Sequence, residues 1–210
     1  EIDQIKSAGR LELVLSDEPV GDKYPQDVLF NAAPVGRFVF GRADSLSRHI
    51  SEIAVQTGAQ IVDVRQGYTR CSTVIVGESA IITQDRGIAK CAQKCGIDLL
   101  LVRPGHVRLD GYDSGFIGGA SGACSDKVFF CGSLDTHPDG EPIRRLLLCE
   151  STINLVFSTI CYIYRFTLLV QCDIIFTIYA AKQGGGAGGR LWCITHVRQT
   201  TAGNNFSLNI

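Results

Sequence analysis

Residues 71–101, CSTVIVGESAIITQDRGIAKCAQKCGIDLLL, decide the fold because two strand patterns, a helix pattern and a third strand pattern follow one another. The runs CSTVIV, AIIT and IDLLL are rich in strand-forming residues. Asp85 is placed to cap the start of the helix, and Gly96 stands where a helix end needs a left-handed residue. The segment therefore predicts one strand–strand–helix–strand unit, abbreviated ββαβ.

The same unit recurs on both sides of this segment. Upstream, DVLFNAAPVG and RFVFG predict two strands, Asp44 is placed as a helix cap, and Gly58 ends the helix before AQIVDV. Downstream, SGFIGGASG and KVFFCG predict two strands before a third helix. The second-strand markers Phe38, Ile81 and Val128 are 43 and 47 residues apart. A repeat of this length is typical of a radial or solenoid array.

The composition fits a folded protein with enough apolar residues for a core. The chain has 210 residues, of which 45% are hydrophobic, and a formal net charge of −1. These values exclude a disordered or collagen-like chain and disfavour a nucleic-acid binder, which is usually basic. The nine cysteines stand within helix and strand patterns, which predicts free thiols and a cytoplasmic location. The absence of Met and the half-unit that opens at Glu1 predict an N-terminal truncation, followed by two full units and part of a third.

The composition changes near residue 150. Only five of the 41 charged residues follow it, and residues 153–181 are almost wholly apolar. Three interpretations compete: a membrane-spanning helix, buried strands, and a tail that is not in the native reading frame. Arg165 and Asp173 interrupt the apolar run and disfavour the helix. The prediction is a repeat domain over 1–150 and an apolar tail of doubtful origin over 151–210, with a frame artefact favoured.

Three runs carry a resemblance to a known family: QGYTRCST, ITQDRGIAK and GYDSGFIGGASG. Together with the ββαβ repeat they resemble a bacterial family of unknown function assigned to the pentein fold, the five-fold β/α propeller of guanidino-group-modifying enzymes (the GME fold). The resemblance covers residues of about 20–145. It implies an α/β fold, an incomplete pentein-like β/α propeller built from ββαβ repeats.

The resemblance also implies a range of functions. Characterised penteins include hydrolases and amidinotransferases in which a Cys attacks a guanidinium carbon, a His moves protons and carboxylates hold the cation. The fold also has a non-catalytic member that binds the ribosome, so the fold alone does not settle the function. The expected function is therefore a hydrolase or amidinotransferase relative that binds a guanidinium-type molecule in the central channel. The alternatives are a non-catalytic binding protein and a membrane-anchored protein held by residues 153–181.

Cys71 is the first catalytic candidate. It opens an inner-strand pattern, and the resemblance implies that the end of such a strand faces the site. A nucleophilic Cys needs a lowered pKa, which Arg65 or Arg70 nearby in sequence could provide. Catalytic penteins usually take their Cys from the last unit, so a small half-buried residue is the alternative interpretation. Ser72 beside it is a candidate substrate contact.

A His and two carboxylates follow in HVRLDGYD. His106 is a candidate general base, and Asp110 and Asp113 are candidate orienting groups. The alternative is an exposed loop. His137 in DTHPDGEP is better explained as part of a helix start.

Five further residues are substrate-binding candidates. Arg65 and Arg103 occupy matching places in VRQGY and VRPGH, where a guanidinium could bind a carboxylate or simply pack at a rim. Asn31 holds the position that matches Cys71 in the preceding unit, and a turn-forming Asn is the alternative. Gly118 and Gly119 allow close approach of a ligand or of crowded inner strands.

The motifs predict neither metal nor cofactor. Cys91 and Cys95 lie one helical turn apart without two further ligands in evident spacing, so core thiols are expected. The Gly-rich stretch at 115–122 matches no phosphate loop. The expected partner is a small molecule, with no nucleic acid, and a membrane is disfavoured. The oligomeric state cannot be derived from these patterns.

Overall fold

The fold is known from a computed structural model. It describes residues 13–14, 16–109, 111–124, 127–149, 154–158, 169–170, 177–180 and 191–194. The described elements, in chain order, are β1 (Leu13–Val14), β2 (Ala33–Val35), β3 (Phe38–Gly41), α1 (Arg48–Thr57), β4 (Gln60–Asp63), β5 (Thr73–Val76), β6 (Ala80–Thr83), α2 (Arg86–Lys94), β7 (Asp98–Leu101), β8 (Ser121–Cys124), β9 (Lys127–Cys131), a 3₁₀ turn (Leu134–Thr136), α3 (Gly140–Cys149), β10 (Asn154–Ser158), β11 (Leu169–Val170), β12 (Thr177–Ala180) and β13 (Leu191–Ile194).

Three ββαβ units follow one pairing scheme. In each unit the first two strands are antiparallel, and the strand after the helix returns parallel to the second strand. The sheets are therefore β2–β3–β4, β5–β6–β7 and β8–β9–β10, with β11 added beside β8. This confirms the α/β class and the predicted repeat. No closed barrel or propeller is formed by the described residues.

The first strands of successive units are neighbours. Strand β2 contacts β5, and β5 contacts β8. The residues that precede these strands therefore meet at one place, which becomes the candidate site below. The last strand of the third unit, β10, extends past the predicted boundary at residue 150, and that boundary stays a prediction.

The helix ends show which local sequence signals were sufficient to predict a helix boundary. Asp85 caps α2 as predicted, because its side chain accepts hydrogen bonds from the backbone N–H groups of Gly87 and Ile88. Gly58 ends α1 in the left-handed region at φ 71°. The prediction for Asp44 was wrong. A turn separates it from α1, whose cap is Ser47, and Asp44 pairs with Arg42 instead.

Two apolar clusters form the core of the described residues, and the larger one joins the units. The larger lies between the sheets and beneath α2 and α3, and includes Phe40, Ile81, Ile88 and Ile143. The smaller lies under α1 and consists of Phe30, Ala32, Val39 and Ile50. Neighbouring side chains of β3 point to opposite faces of the sheet, so Phe40 joins the larger cluster while Val39 packs under α1. Burial on both faces fixes the register of this strand.

Most of the apolar run at 153–181 lies outside the described residues. In the described part, β12 pairs with β13, and β13 pairs with β1, both antiparallel. Among the residues that the structure describes, no helix is both long and apolar enough to cross a membrane.

Candidate functional site

Three equivalent positions meet where the first strands begin. Asn31, Cys71 and Gly119 each stand two residues before the first strand of their unit. The backbone N–H of Gly119 donates to the carbonyl of Cys71 at 2.8 Å. The side chain of Asn31 contacts the same residue through its backbone N–H and its thiol. The structure therefore brings together Cys71 and four of the predicted substrate-binding positions, Asn31, Ser72, Gly118 and Gly119.

Asn31 holds the Cys71 turn with three hydrogen bonds. Its Oδ1 accepts from the backbone N–H of Arg70 at 2.7 Å and from that of Cys71 at 3.1 Å. Its Nδ2 donates to the Cys71 Sγ at 3.1 Å. Asn31 is buried, so water does not compete strongly for these bonds. One side chain from the first unit thus fixes both the backbone and the thiol of the second.

Gly118 lets the second and third units approach closely. A Cβ on Gly118 would lie 2.4 Å from the carbonyl oxygens of Arg70 and Thr73. Those backbone atoms cannot move aside as a flexible side chain could. Gly118 is therefore required by the crowding of the inner strands, and Gly119 is exposed at the same turn.

Arg70 is a buried cation without a carboxylate partner among the described residues. Its side chain is buried, and its Nη1 donates to the carbonyls of Thr73 at 2.7 Å and Gly118 at 3.1 Å. Burial lowers the pKa of Arg70 to about 10, which leaves it charged at neutral pH. A buried charge is normally paired, so an unpaired one is unusual in a core.

Asp27 and Tyr68 add a carboxylate and an aromatic ring. The Tyr68 hydroxyl donates to Asp27 Oδ2 at 2.5 Å, which together with burial raises the pKa of Tyr68 to about 12. The Tyr68 ring stacks on Phe116 at a centroid distance of 5.6 Å and lies 6.1 Å from the Tyr24 ring. A carboxylate near aromatic rings is suited to an organic cation.

Opposing effects act on the Cys71 thiol. Burial raises its pKa above the ordinary value, and the negative charge of Asp27 adds to that effect. The Asn31 amide and the Arg70 guanidinium act in the opposite direction, and burial prevails. Arg70 therefore offsets only part of the burial effect, and the thiol lacks the lowered pKa that a nucleophilic Cys needs.

Four buried side-chain polar atoms have no hydrogen-bond partner among the described residues, and all belong to this region: Asp27 Oδ1, Arg70 Nε, Ser72 Oγ and Thr73 Oγ1. Native proteins rarely leave such atoms unsatisfied, and each one needs an explanation. We refer to Asp27, Asn31, Tyr68, Arg70 and Cys71 as the Cys71 cluster. It offers a thiol, an amide, a cation and a carboxylate at the junction of three units.

A family model described as "Family of unknown function (DUF6873)" matches residues 2–160, which is most of the chain. The chain belongs to the DUF6873 family. The match spans all three ββαβ units and the whole Cys71 cluster. No curated protein matches the chain, and no solved structure does.

A second polar group within the DUF6873 match lies at the turn after β7. Arg103 donates to the Asp139 carboxylate from Nε at 3.0 Å and Nη2 at 2.7 Å, and its backbone N–H donates to the same group at 2.7 Å. The His106 ring meets the His137 ring edge-on at a centroid distance of 5.4 Å. We refer to Arg103, His106, His137 and Asp139 as the rim cluster.

The rim cluster accounts for two predicted site residues. The Arg103 guanidinium holds a carboxylate bidentately, and that carboxylate belongs to the chain's own Asp139. His106 is exposed and lies against His137, whose Nδ1 accepts from the Asp139 backbone N–H at 3.0 Å. No hydrogen bond joins this cluster to Cys71 within the described part of the chain.

The other candidates do not join the Cys71 cluster. Arg65 and Asp113 are exposed, and neither forms a hydrogen bond or ion pair with another described residue. Asp110 lies outside the described residues. Cys91 and Cys95 pack half-buried against the larger apolar cluster. Within the described ranges, no group of three or more His, Cys, Asp or Glu side chains is arranged to hold a metal ion.

Sequence reasoning missed three members of this region: Asp27, Tyr68 and Thr73. Asp27 stands four residues before Asn31 and Tyr68 three before Cys71, so they approach each other only after two units pack. A usable signal was present. Both lie in the turns that lead into the matched positions Asn31 and Cys71.

Proposed function

We propose that this DUF6873 protein binds a small molecule with a guanidinium-type cation at the Cys71 cluster, and that Cys71 attacks the central carbon of that cation. The observation that carries the proposal is the Asp27 carboxylate, which has one buried oxygen without a partner among the described residues and acts electrostatically on Cys71. A carboxylate next to a nucleophile is the arrangement that would hold a cation in place for attack.

The aromatic residues support a planar cation. Tyr68 donates a hydrogen bond from its hydroxyl to Asp27, and its ring contacts the rings of Phe116 and Tyr24. A guanidinium group can pair with a carboxylate and also stack on an aromatic face. The pentein resemblance supports the same ligand class, and the proposed central channel would lie along the first strands β2, β5 and β8.

The proposed step exchanges a carbon–nitrogen bond of the ligand for a carbon–sulfur bond. The Cys71 sulfur forms a bond to the guanidinium carbon, a carbon–nitrogen bond breaks, and the thiol proton leaves with the released amine. Water then cleaves the carbon–sulfur bond in a hydrolase, or a second amine does so in a transferase. The thiol is largely protonated at neutral pH because burial raises its pKa. A bound cation beside it would favour the thiolate.

Binding without chemistry is a second candidate. It is favoured because Cys71 has a raised pKa and because no histidine forms a hydrogen bond with it among the described residues. On this view the Cys71 cluster holds the cation and releases it unchanged. Membrane attachment through residues 153–181 and a cytoplasmic location stay predictions.

Thermal unfolding in the presence of matched amines tests the proposal. Agmatine and methylguanidine are compared with putrescine and methylammonium, which carry a charge but no planar guanidinium. A ligand at one hundred times its Kd stabilises by about 2.7 kcal/mol, which corresponds to a Tm rise of several degrees. We expect this rise for the guanidino compounds only. It should be lost in Asp27→Asn and retained in Asp113→Asn, where an exposed carboxylate is removed.

Product analysis separates the two candidates. If Cys71 is a nucleophile, ammonia or amine is released from the bound compound and Cys71→Ser abolishes the release. If binding occurs without chemistry, the Tm rise persists and no product forms. Equal responses to guanidino compounds and simple amines, unaffected by Asp27→Asn, would overturn the proposed ligand class.

A further inference from the structure

We infer that Asn31 is a positioning residue for Cys71, in place of the substrate contact that its sequence position suggested. The inference deepens the proposed function, since it concerns how the proposed nucleophile is held. It rests on three hydrogen bonds that cross between two units about 40 residues apart in sequence.

The Asn31 amide makes all three of its described hydrogen bonds to the Cys71 turn. Its oxygen accepts two backbone N–H groups, those of Arg70 and Cys71, and its nitrogen donates to the sulfur. A buried amide with its oxygen so occupied is poorly available to a ligand. The same three bonds fix where the sulfur lies relative to the first unit, which also carries Asp27. The distance between the proposed nucleophile and the proposed cation anchor therefore depends on Asn31.

The donor to sulfur also affects the charge state of the thiol. A hydrogen bond to Sγ favours the thiolate over the thiol. The charged or titratable groups that act on Cys71 are Arg70 on its own turn, Asp27 from the first unit, and Tyr68 three residues before it. Arg70 favours the thiolate and Asp27 opposes it. Asn31 carries no charge but also favours the thiolate, so Asn31 and Arg70 together offset part of the rise in the Cys71 pKa that burial causes.

Asn31→Asp separates the two roles of the amide. The variant keeps an oxygen that accepts from both backbone N–H groups, and those two bonds hold the new carboxyl in its ionised form. It replaces the N–H donor at Sγ with a negatively charged oxygen. The turn should therefore stay in place while the thiolate becomes less favourable. Asn31→Ser shortens the side chain, which withdraws the donor from Sγ without adding charge and also withdraws the oxygen that accepts from the two backbone N–H groups. It provides a second variant should the buried carboxylate disturb folding.

The experiment is the pH profile of iodoacetamide alkylation at Cys71, followed by peptide mapping from pH 6.5 to 10.5 on the full chain. Cys91 is the internal control, since it lies half-buried on α2 and contacts the Asp63 carbonyl. We expect the Cys71 profile of Asn31→Asp to move to higher pH. A profile that moves by one pH unit makes alkylation at pH 8 about tenfold slower. Asn31→Ser should move it in the same direction by less, and the Cys91 profile should not change.

Profiles for Cys71 that coincide in the wild type and both variants would overturn the inference. An equal shift of the Cys91 profile in the variants would also overturn it, because the change would then not be specific to Cys71. The reagent is neutral and no ligand is present, so the outcome is independent of guanidinium binding. A shifted profile without guanidino binding would defeat the proposed function alone, and guanidino binding with coincident profiles would defeat only the role of Asn31.

Discussion

The Cys71 cluster and the rim cluster both join neighbouring units, but their arginines differ in burial and in pairing. In the rim cluster, Arg103 is largely exposed and paired with Asp139 through its guanidinium and its backbone. In the Cys71 cluster, Arg70 is buried and has no carboxylate partner among the described residues. Four buried polar atoms in that region, one of them on Arg70 itself, also lack a described partner.

This difference separates a structural contact from a candidate site. Paired, solvated charges stabilise a fold modestly and need no further partner. Buried unsatisfied groups destabilise a fold, so their concentration at one place indicates a use other than stability. The sequence patterns pointed to His106 and Arg103 as strongly as to Cys71. The two clusters are distinguished only by whether their buried or charged groups have partners among the described residues.

The largest expected effect is that of Gly118→Ala. The added Cβ would lie 2.4 Å from backbone oxygens of Arg70 and Thr73, so the second and third units must separate. We expect a loss of about 3 kcal/mol in the free energy of unfolding, measured by urea titration. Gly119→Ala is the control, because its Cβ meets the nearest atom at 3.4 Å and should change stability by less than about 0.5 kcal/mol. Equal effects would show that the units do not meet at Gly118.

A pair of threonines tests the unsatisfied groups directly. Thr73 Oγ1 is buried without a partner among the described residues, whereas Thr83 Oγ1 donates to the Ser72 carbonyl at 2.9 Å and accepts from the Asp85 backbone N–H at 3.1 Å. Thr73→Val should stabilise the protein by about 1 kcal/mol, and Thr83→Val should destabilise it by about 1–2 kcal/mol. Destabilisation of the same size by both changes would mean that the Thr73 hydroxyl is satisfied.

The ion pair between Arg103 and Asp139 should contribute little to the stability of the fold, and its contribution should depend clearly on pH. Arg103 lowers the pKa of Asp139 to about 2, so the pair stabilises the fold above the unfolded-state value near 4. That stabilisation is lost as the pH falls from about 4 to about 2. Arg103→Gln should lower the Tm by about 2 °C at pH 7 and by less at pH 2 or in high salt. A Tm difference that does not depend on pH would contradict the ion pair.

His137 should give the smallest effect, with its own pH window. Burial lowers its pKa below the ordinary value of 6.5, so the unfolded chain binds a proton more readily than the folded one. Stability contributed by neutral His137 is therefore present above pH 6.5 and declines as the pH falls below it. His137→Asn keeps an acceptor for the Asp139 N–H and does not titrate. Its Tm relative to the wild type should rise by about 1 °C between pH 7 and pH 5, and a constant difference would contradict this.

Local signals were sufficient for the repeat but not for every boundary. Gly58 and Asp85 act within a few residues of themselves, so their roles could be predicted from the sequence. Asp44 failed because Ser47 is an equally good cap three residues later, and the turn between them is set by packing. The last strand of the third unit, β10, was not predicted, because it lies inside the stretch of low charge that was assigned to the tail.

The sequence could predict those parts of the candidate site that stand at equivalent positions of the repeat. Asn31 and Cys71 could be matched because they hold the same place in two units, and they are in contact. Arg103 and Arg65 were matched in the same way, yet Arg103 pairs with Asp139, which packing brings to its turn from 36 residues away. Asp27 and Tyr68 were missed because their contact spans 41 residues and two units, although both lie in the turns that lead into Asn31 and Cys71.

The most direct test of a cation site at Cys71 is the ratio of its alkylation rates with chloroacetamidine and chloroacetamide. The two reagents share a leaving group and differ in charge, and Cys91 provides the reference ratio within the same chain. If Asp27 attracts the amidinium, the ratio at Cys71 should exceed that at Cys91 by about tenfold, equivalent to about 1.4 kcal/mol, and Asp27→Asn should remove the excess. Equal ratios at Cys71 and Cys91 in the wild type would contradict a cation-binding site at this thiol.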